Sequence, residues 1–233
     1  MLSPIGWLDG LSAALIVISA SFFGLLSFYK SRKVEAKLLG IAGLMMVFVG
    51  LLWLGPLTDF LVVLITGNNI YPKEIYGYLS YMWVAPAIIV GMYLGGELIF
   101  PKLKRHIVIG FAILGVIFEL FLFIDTANTF EKLAAAHPGK DLIDAQFNRA
   151  SPTFILIAIF LLSALGFDGI GFLIKAIQST GELRKKFLLL FTSTIVFVIA
   201  GALDSIIPPG LAIGFIRAVG ATSALWMYLG LKT

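Results

Sequence analysis

The stretch G-A-L-D-S-I-I-P-P-G-L-A-I-G-F-I-R, residues 201–217, decides the fold. An acid, Asp204, stands near the end of one apolar segment. Pro208-Pro209-Gly210 then breaks the chain, and a base, Arg217, follows inside the next apolar segment. Two apolar segments joined this tightly lie antiparallel and side by side. Acid and base are therefore expected at similar depth, a few residues below one membrane surface. Charge at that depth is costly unless it is paired or lines a polar cavity.

Composition supports the membrane setting. Of 233 residues, 60% are hydrophobic and only 13% charged, and the mean hydropathy is +1.02. A soluble domain carries about a quarter of charged residues. A spanning helix needs about 20 apolar residues. Seven segments meet that length: 7–29, 38–66, 75–100, 106–125, 152–177, 186–207 and 210–230. They predict an all-α, polytopic seven-transmembrane-helix bundle forming one domain over 1–233, with the lipid bilayer as its first partner. Pro56 and Pro86 predict kinks in the second and third segments. The first segment lacks a basic leader and is expected to be a span, not a signal peptide. The chain has no cysteine, which excludes disulfides and thiolate metal sites.

Basic residues set the expected orientation. Lys30, Arg32, Lys33 and Lys37 share one face with Lys102, Lys104 and Arg105, with Lys175, Arg184, Lys185 and Lys186, and with Lys232. The other face holds Lys73, Lys132, Lys140 and Arg149. The N-terminus is thus expected outside and the C-terminus in the cytoplasm, in the cell (plasma) membrane. The net charge of +4 is read as this topology signal, so nucleic acid is not an expected partner. The long loop 126–151 is then extracellular. Phe130 to His137 is expected to form a short helix ended by Pro138-Gly139. The loop is either a lid over a binding site or a plain connection between distant helices. No internal repeat supports an inverted-repeat transporter.

Several ionisable residues fall inside the apolar segments. Asp59, Glu119, Asp204 and Arg217 are expected at one outer level, three acids with one base. One reading is an outward-facing polar pocket for a cation, a proton or a small ligand. The other is an Asp204–Arg217 pair that locks two helices, with Asp59 and Glu119 at the headgroups. Deeper acids are Asp168, in G-F-D-G-I-G-F, and Glu97, which is expected either to join a proton or cation track or to reach Lys102 or Lys104. Gly91 and Gly95 predict a close helix contact. Tyr71, Tyr76, Tyr78, Tyr81 and Trp83 form an interfacial belt or a pocket wall. Trp53 is expected to pack inside.

The exclusions matter as much. The last segment carries no lysine that a retinal Schiff base needs. His106 and His137 fall on opposite faces, which argues against a bis-histidine haem or a histidine-rich zinc site. Asp168 and Asp204 lack the flanking motifs of aspartyl intramembrane proteases. Ser163 and Ser205 have no histidine nearby in sequence. No catalytic residue, cofactor or metal site is expected, and the chain is read as non-enzymatic, with lipid-modifying activity left open.

Two segments carry a resemblance: G-L-L-W-L-G-P (50–56) and K-A-I-Q-S-T-G-E-L-R-K-K-F (175–187). Together with seven helices, short loops and a basic inner face, they resemble the seven-transmembrane sensor regions of prokaryotic, especially archaeal, histidine kinases. The resemblance covers the whole chain at the level of topology. It implies a receptor- or sensor-like protein. No kinase or coiled-coil segment follows Thr233, so it implies a stand-alone module that signals through a cytoplasmic partner or as a homodimer. The ligand, a small molecule or cation, would meet Asp204, Arg217, Asp59 and Glu119. The alternative is a small transporter or channel for protons, cations or a small solute, drawing on Asp168.

Overall fold

The computed structural model describes residues 2–232. Helices dominate it: α1 (Pro4–Lys33), α2 (Lys37–Leu51), α3 (Leu54–Thr66), α4 (Glu74–Tyr81), α5 (Val84–Ile99), α6 (Lys104–Ile124), a single turn α7 (Thr126–Thr129), α8 (Pro152–Ser163), α9 (Gly171–Gln178), α10 (Gly181–Asp204) and α11 (Leu211–Leu231). A π-helical segment, Ala164–Ile170, joins α8 to α9 without a break. Six continuous helical stretches are long and apolar enough to cross a membrane, and the bent pair α2–α3 makes a seventh when taken as one span. The chain is a helical, polytopic membrane protein.

The outward faces show the solvent for which the bundle is built. On α1, Ile18, Phe22 and Leu25 are exposed at the spacing of one helix face. On α6, Ile113, Val116 and Leu120 do the same. Aliphatic stripes of this kind, uncovered on long helices, suit hydrocarbon and not water. Capping residues start two of the spans. Ser3 and Ser151 each accept a backbone N–H from three residues on, and Pro4 and Pro152 follow as first helical residues.

The kink predicted at Pro56 forms where proline chemistry puts it. Pro56 has no N–H for the carbonyl of Leu52, and its ring crowds that carbonyl. The span accordingly breaks at Leu52–Trp53 and bends by 48°. Pro86 stands in the same relation to Met82, where α4 gives way to α5. The pair Gly24 and Gly43 lets α1 and α2 approach so closely that a Cβ on Gly24 would lie 2.7 Å from the Gly43 carbonyl oxygen. Hydroxyls then stitch neighbouring helices: Ser19 Oγ donates to the Ala221 carbonyl at 2.8 Å, and Ser193 Oγ to the Ser223 carbonyl at 2.7 Å.

The loop 126–151 corrects one expectation. Phe130–Ala135 (β1) and Ile143–Phe147 (β2) form an antiparallel hairpin where a short helix was expected, so the fold is not purely α. Leu, Ala, Lys and Glu in this run favour helix locally, but tertiary pairing overrides that propensity. The apolar residues of the run pair across two strands instead. Phe130 and Phe147 lie 5.0 Å apart between ring centroids, and Tyr81 meets Phe147 edge-on at 4.6 Å. The hairpin packs over the ends of the spans and marks one end of the bundle, the hairpin end. Lys30, Arg32, Lys33 and Lys104 mark the opposite, basic end.

Candidate functional site

A cavity of about 190 Å³ lies within the bundle, bounded by α1, α2, α4, α5, α8, α10 and α11. Along α11 its wall runs from Arg217 to Met227. Ten residues of helix cover about 15 Å. Asp144 and Ala145 of β2 stand in the wall at the hairpin end, and Asp168 on the π segment stands in the wall towards the other. Most of what lies between is apolar, including Met45, Met46, Ile88 and Phe160. Beyond Asp168 the core is solid: Leu94, Phe172 and Leu190 are 0–2% exposed. The cavity is one-ended.

At the hairpin end Arg217 is buried and fully engaged. Its Nε donates to Asp204 Oδ1 at 2.7 Å, and its Nη1 donates to the Asp9 carboxylate and to the Asp9 carbonyl, the latter at 3.2 Å. Trp53 Nε1 donates to the second oxygen of Asp204 at 3.1 Å. One guanidinium thus ties α1, α10 and α11, and the indole adds the α2–α3 break. The planar fork of arginine suits two carboxylates in a way that a lysine would not. The expected Asp204–Arg217 pair is present, and it locks helices.

The structure does not bring the other two outer acids to this trio. Asp59 is fully buried on α3, where its carboxylate accepts from Asn69 Nδ2 at 2.9 Å and from the backbone N–H groups of Ile70 and Ile143 at 2.8 Å each. It fastens the 67–73 loop and β2 to the bundle and does not line the cavity. Glu119 sits half-buried between α5 and α6 in a separate apolar groove with Pro86 and Gly115. Its carboxylate oxygens have no hydrogen-bond partner among the described residues. Linear depth along a span put these acids at one level; the helix face on which each stands separates them.

Asp9 was the residue missing from the expected cluster. An acid in the first two turns of a span, near the level of an arginine that otherwise had one partner, was the available signal. Glu97 pairs with Lys104, as one expectation held. Trp53 packs inside, 6% exposed.

Asp168 is the residue with the least company. It is 6% exposed, and its Oδ1 has no hydrogen-bond partner among the described residues. That oxygen is pressed against α5 at Gly95, where a Cβ would overlap it. The other oxygen, Oδ2, faces Gly91, 3.6 Å from the place a Cβ would occupy there, beside Met45. Gly91 and Gly95 do create a close approach, as their spacing suggested. The π segment, A-L-G-F-D-G-I, makes it from the other side. An extra residue in the turn re-aims the side chains around it, and such bulges are frequent at functional sites. Ser193 and Thr194 of α10 stand nearby: a Cβ on Gly169 would lie 3.7 Å from Thr194 Cγ2.

No cluster of three metal-ligating side chains occurs among the described residues. No protein-family model matches the chain, and no curated protein matches its sequence.

Proposed function

We propose that the chain is a receptor- or sensor-like membrane protein whose central cavity holds a small ligand. The hairpin end faces outside, and the basic end faces the cytoplasm of the cell it encloses, in accord with the distribution of lysine and arginine. The observation that carries this reading is the one-ended cavity. A chamber stopped by Leu94, Phe172 and Leu190 favours occupancy over passage. Arg217 couples that chamber to three helices, so a ligand that spreads α10 from α1 shifts α11 with them. At the basic end Lys30 on α1 bonds the Tyr228 hydroxyl on α11, which carries the shift to the inner rim. A separate cytoplasmic partner or a second copy of the chain reads it there.

Two measurements test the reading. Spin labels at Lys33 and Lys186 report the spacing of α1 and α10 at the basic end, and Ala224→Phe fills the cavity in place of a ligand. The expected result is a discrete change in that spacing. Proteoliposomes with an imposed proton or potassium gradient are expected to leak no faster than empty vesicles. An unchanged spacing together with a flux that Asp168→Asn abolishes would favour the transporter alternative instead.

A further inference from the structure

Resting on the cavity as a ligand chamber, we propose that its ligand is a small organic ammonium ion whose cationic head binds Asp168. The lining of the inner end is matched to a donor. Ser193 Oγ donates its proton to the Ser223 carbonyl at 2.7 Å, and Thr194 Oγ1 donates to the Leu190 carbonyl at 3.1 Å. Both residues line the cavity, and their hydroxyls, with protons committed, have only lone pairs left to offer. Asp168 Oδ2 is turned towards Gly91 and Met45, both cavity residues, while Oδ1 is shut against Gly95. A carboxylate and two committed hydroxyls call for a group with several donors and no acceptor, which is what an ammonium is.

The charge balance points the same way. The acidic and basic side chains in the cavity wall are Asp144, Asp168, Asp204 and Arg217, beside the phenols of Tyr76 and Tyr81. Arg217 is already engaged by Asp204 and Asp9, and Asp144 by Lys132 at 3.2 Å. Asp168 alone has no basic partner within ion-pair reach among the described residues. A positive charge delivered beside an enclosed carboxyl favours its ionised form.

Depth and volume set the size of the ligand. Thr194 lies ten residues below Asp204 on α10, so the Asp168 level is about 15 Å from the Arg217 trio. The head would therefore sit far from the guanidinium, with an apolar body among Met45, Met46 and Phe160. A cavity of about 190 Å³ exceeds the roughly 150 Å³ that accommodates one benzene ring. A ring or a short alkyl chain bearing one amine fits.

Titration calorimetry of the full chain in zwitterionic nanodiscs at pH 7 tests this, with empty nanodiscs as the blank. The probes are 2-phenylethylamine, a cation at that pH, and 3-phenylpropan-1-ol, a neutral molecule of similar size. The amine is expected to bind about ten-fold more tightly than the alcohol, the worth of a hydrogen bond to a charged group. Asp168→Asn is expected to bring the amine down to the alcohol, and Gly91→Leu to abolish both. If Asp168→Asn fails to fold, judged by thermal melting, the two probes on the unaltered chain still decide. An alcohol that binds as well as the amine, with both lost in Gly91→Leu, leaves the chamber standing and overturns the ammonium ligand. An amine preference that survives Asp168→Asn overturns the role of Asp168. No binding of either probe overturns both the ligand class and the chamber.

Discussion

Arg217 on α11 and Asp9 on α1 stand 208 residues apart in the chain and share a buried ion pair at the hairpin end. Asp204 completes the group from α10. Removing the guanidinium strands two carboxylates in a low-dielectric wall. Arg217→Ala is expected to cost about 3–5 kcal/mol, the usual penalty for orphaning a buried charge. Arg217→Lys should recover only part of it, because a single ammonium cannot serve both acids with the same fork. Chemical denaturation in detergent measures both. Equal stability of Arg217→Ala and the parent would mean the trio locks nothing.

Asp59 makes a second, separable prediction. Its carboxylate serves the N–H groups of Ile70 and Ile143, so Asp59→Ala leaves both without their acceptor. Hydrogen exchange at those two amides is expected to quicken by about 10- to 100-fold, given roughly 1.5–3 kcal/mol for a bond to a charged group. Amides in α10 and α11 should keep their protection. Uniform quickening throughout the bundle would show that Asp59 supports more than the hairpin.

The latch between the N-terminus and the hairpin depends on pH. Burial pushes the Asp141 carboxyl up, but hydrogen bonds from Ser3 and His137 outweigh it and hold the group below its ordinary 3.8. A carboxyl lowered on folding adds stability that is complete above its ordinary value and is lost as pH falls through the lowered one. The Ser3 N–H bond to the Lys140 carbonyl, 2.8 Å, should therefore open only below about pH 4. Exchange or NMR at the Ser3 amide reads this. Asp141→Asn is expected to remove the acid transition; a transition that persists unaltered places its origin elsewhere.

Gly95 and Asp168 can be tested as a pair. A Cβ on Gly95 would occupy the place of Asp168 Oδ1, so Gly95→Ala forces the π segment or α5 to move. Overpacking of this kind costs about 1–3 kcal/mol. Adding Asp168→Ala removes the obstructing carboxyl, and the double variant is expected to be more stable than Gly95→Ala alone. Additive losses would mean that the two positions do not touch.

Glu119 supplies the control. It lies in the groove between α5 and α6, away from the cavity, so Glu119→Gln is expected to leave probe binding unchanged. A loss of binding would place this acid on the route by which a ligand enters.

The bundle was legible because hydrocarbon imposes a strong rule on sequence. Twenty apolar residues, a proline that withdraws a donor and a cluster of lysines are each readable along the chain. Pro56 therefore gave its bend correctly, as Glu97 gave its lysine. Position around a helix was harder. Asp59, Glu119 and Asp204 share a depth but point to three places, because which face is inward depends on neighbours that span lengths do not reveal. Asp9 was overlooked as a partner since its mate is at the other end of the chain. The hairpin was hidden by helix-favouring residues whose aromatic pairing is tertiary. The π turn at Asp168 had only Gly166 and Gly169 as a local sign.

The chain contains no cysteine, so one introduced thiol reports one place. Thr194→Cys puts that thiol on the cavity wall near Asp168. Its modification rate by a methanethiosulfonate bearing an ammonium, compared with one bearing a sulfonate, tests an accessible chamber with an acidic floor. Normalised to a free thiol, the cationic reagent should react faster by roughly ten-fold or more, the range that local charge gives to association rates. Asp168→Asn should erase the difference. A thiol that reacts with neither reagent, or equally with both, would contradict such a chamber.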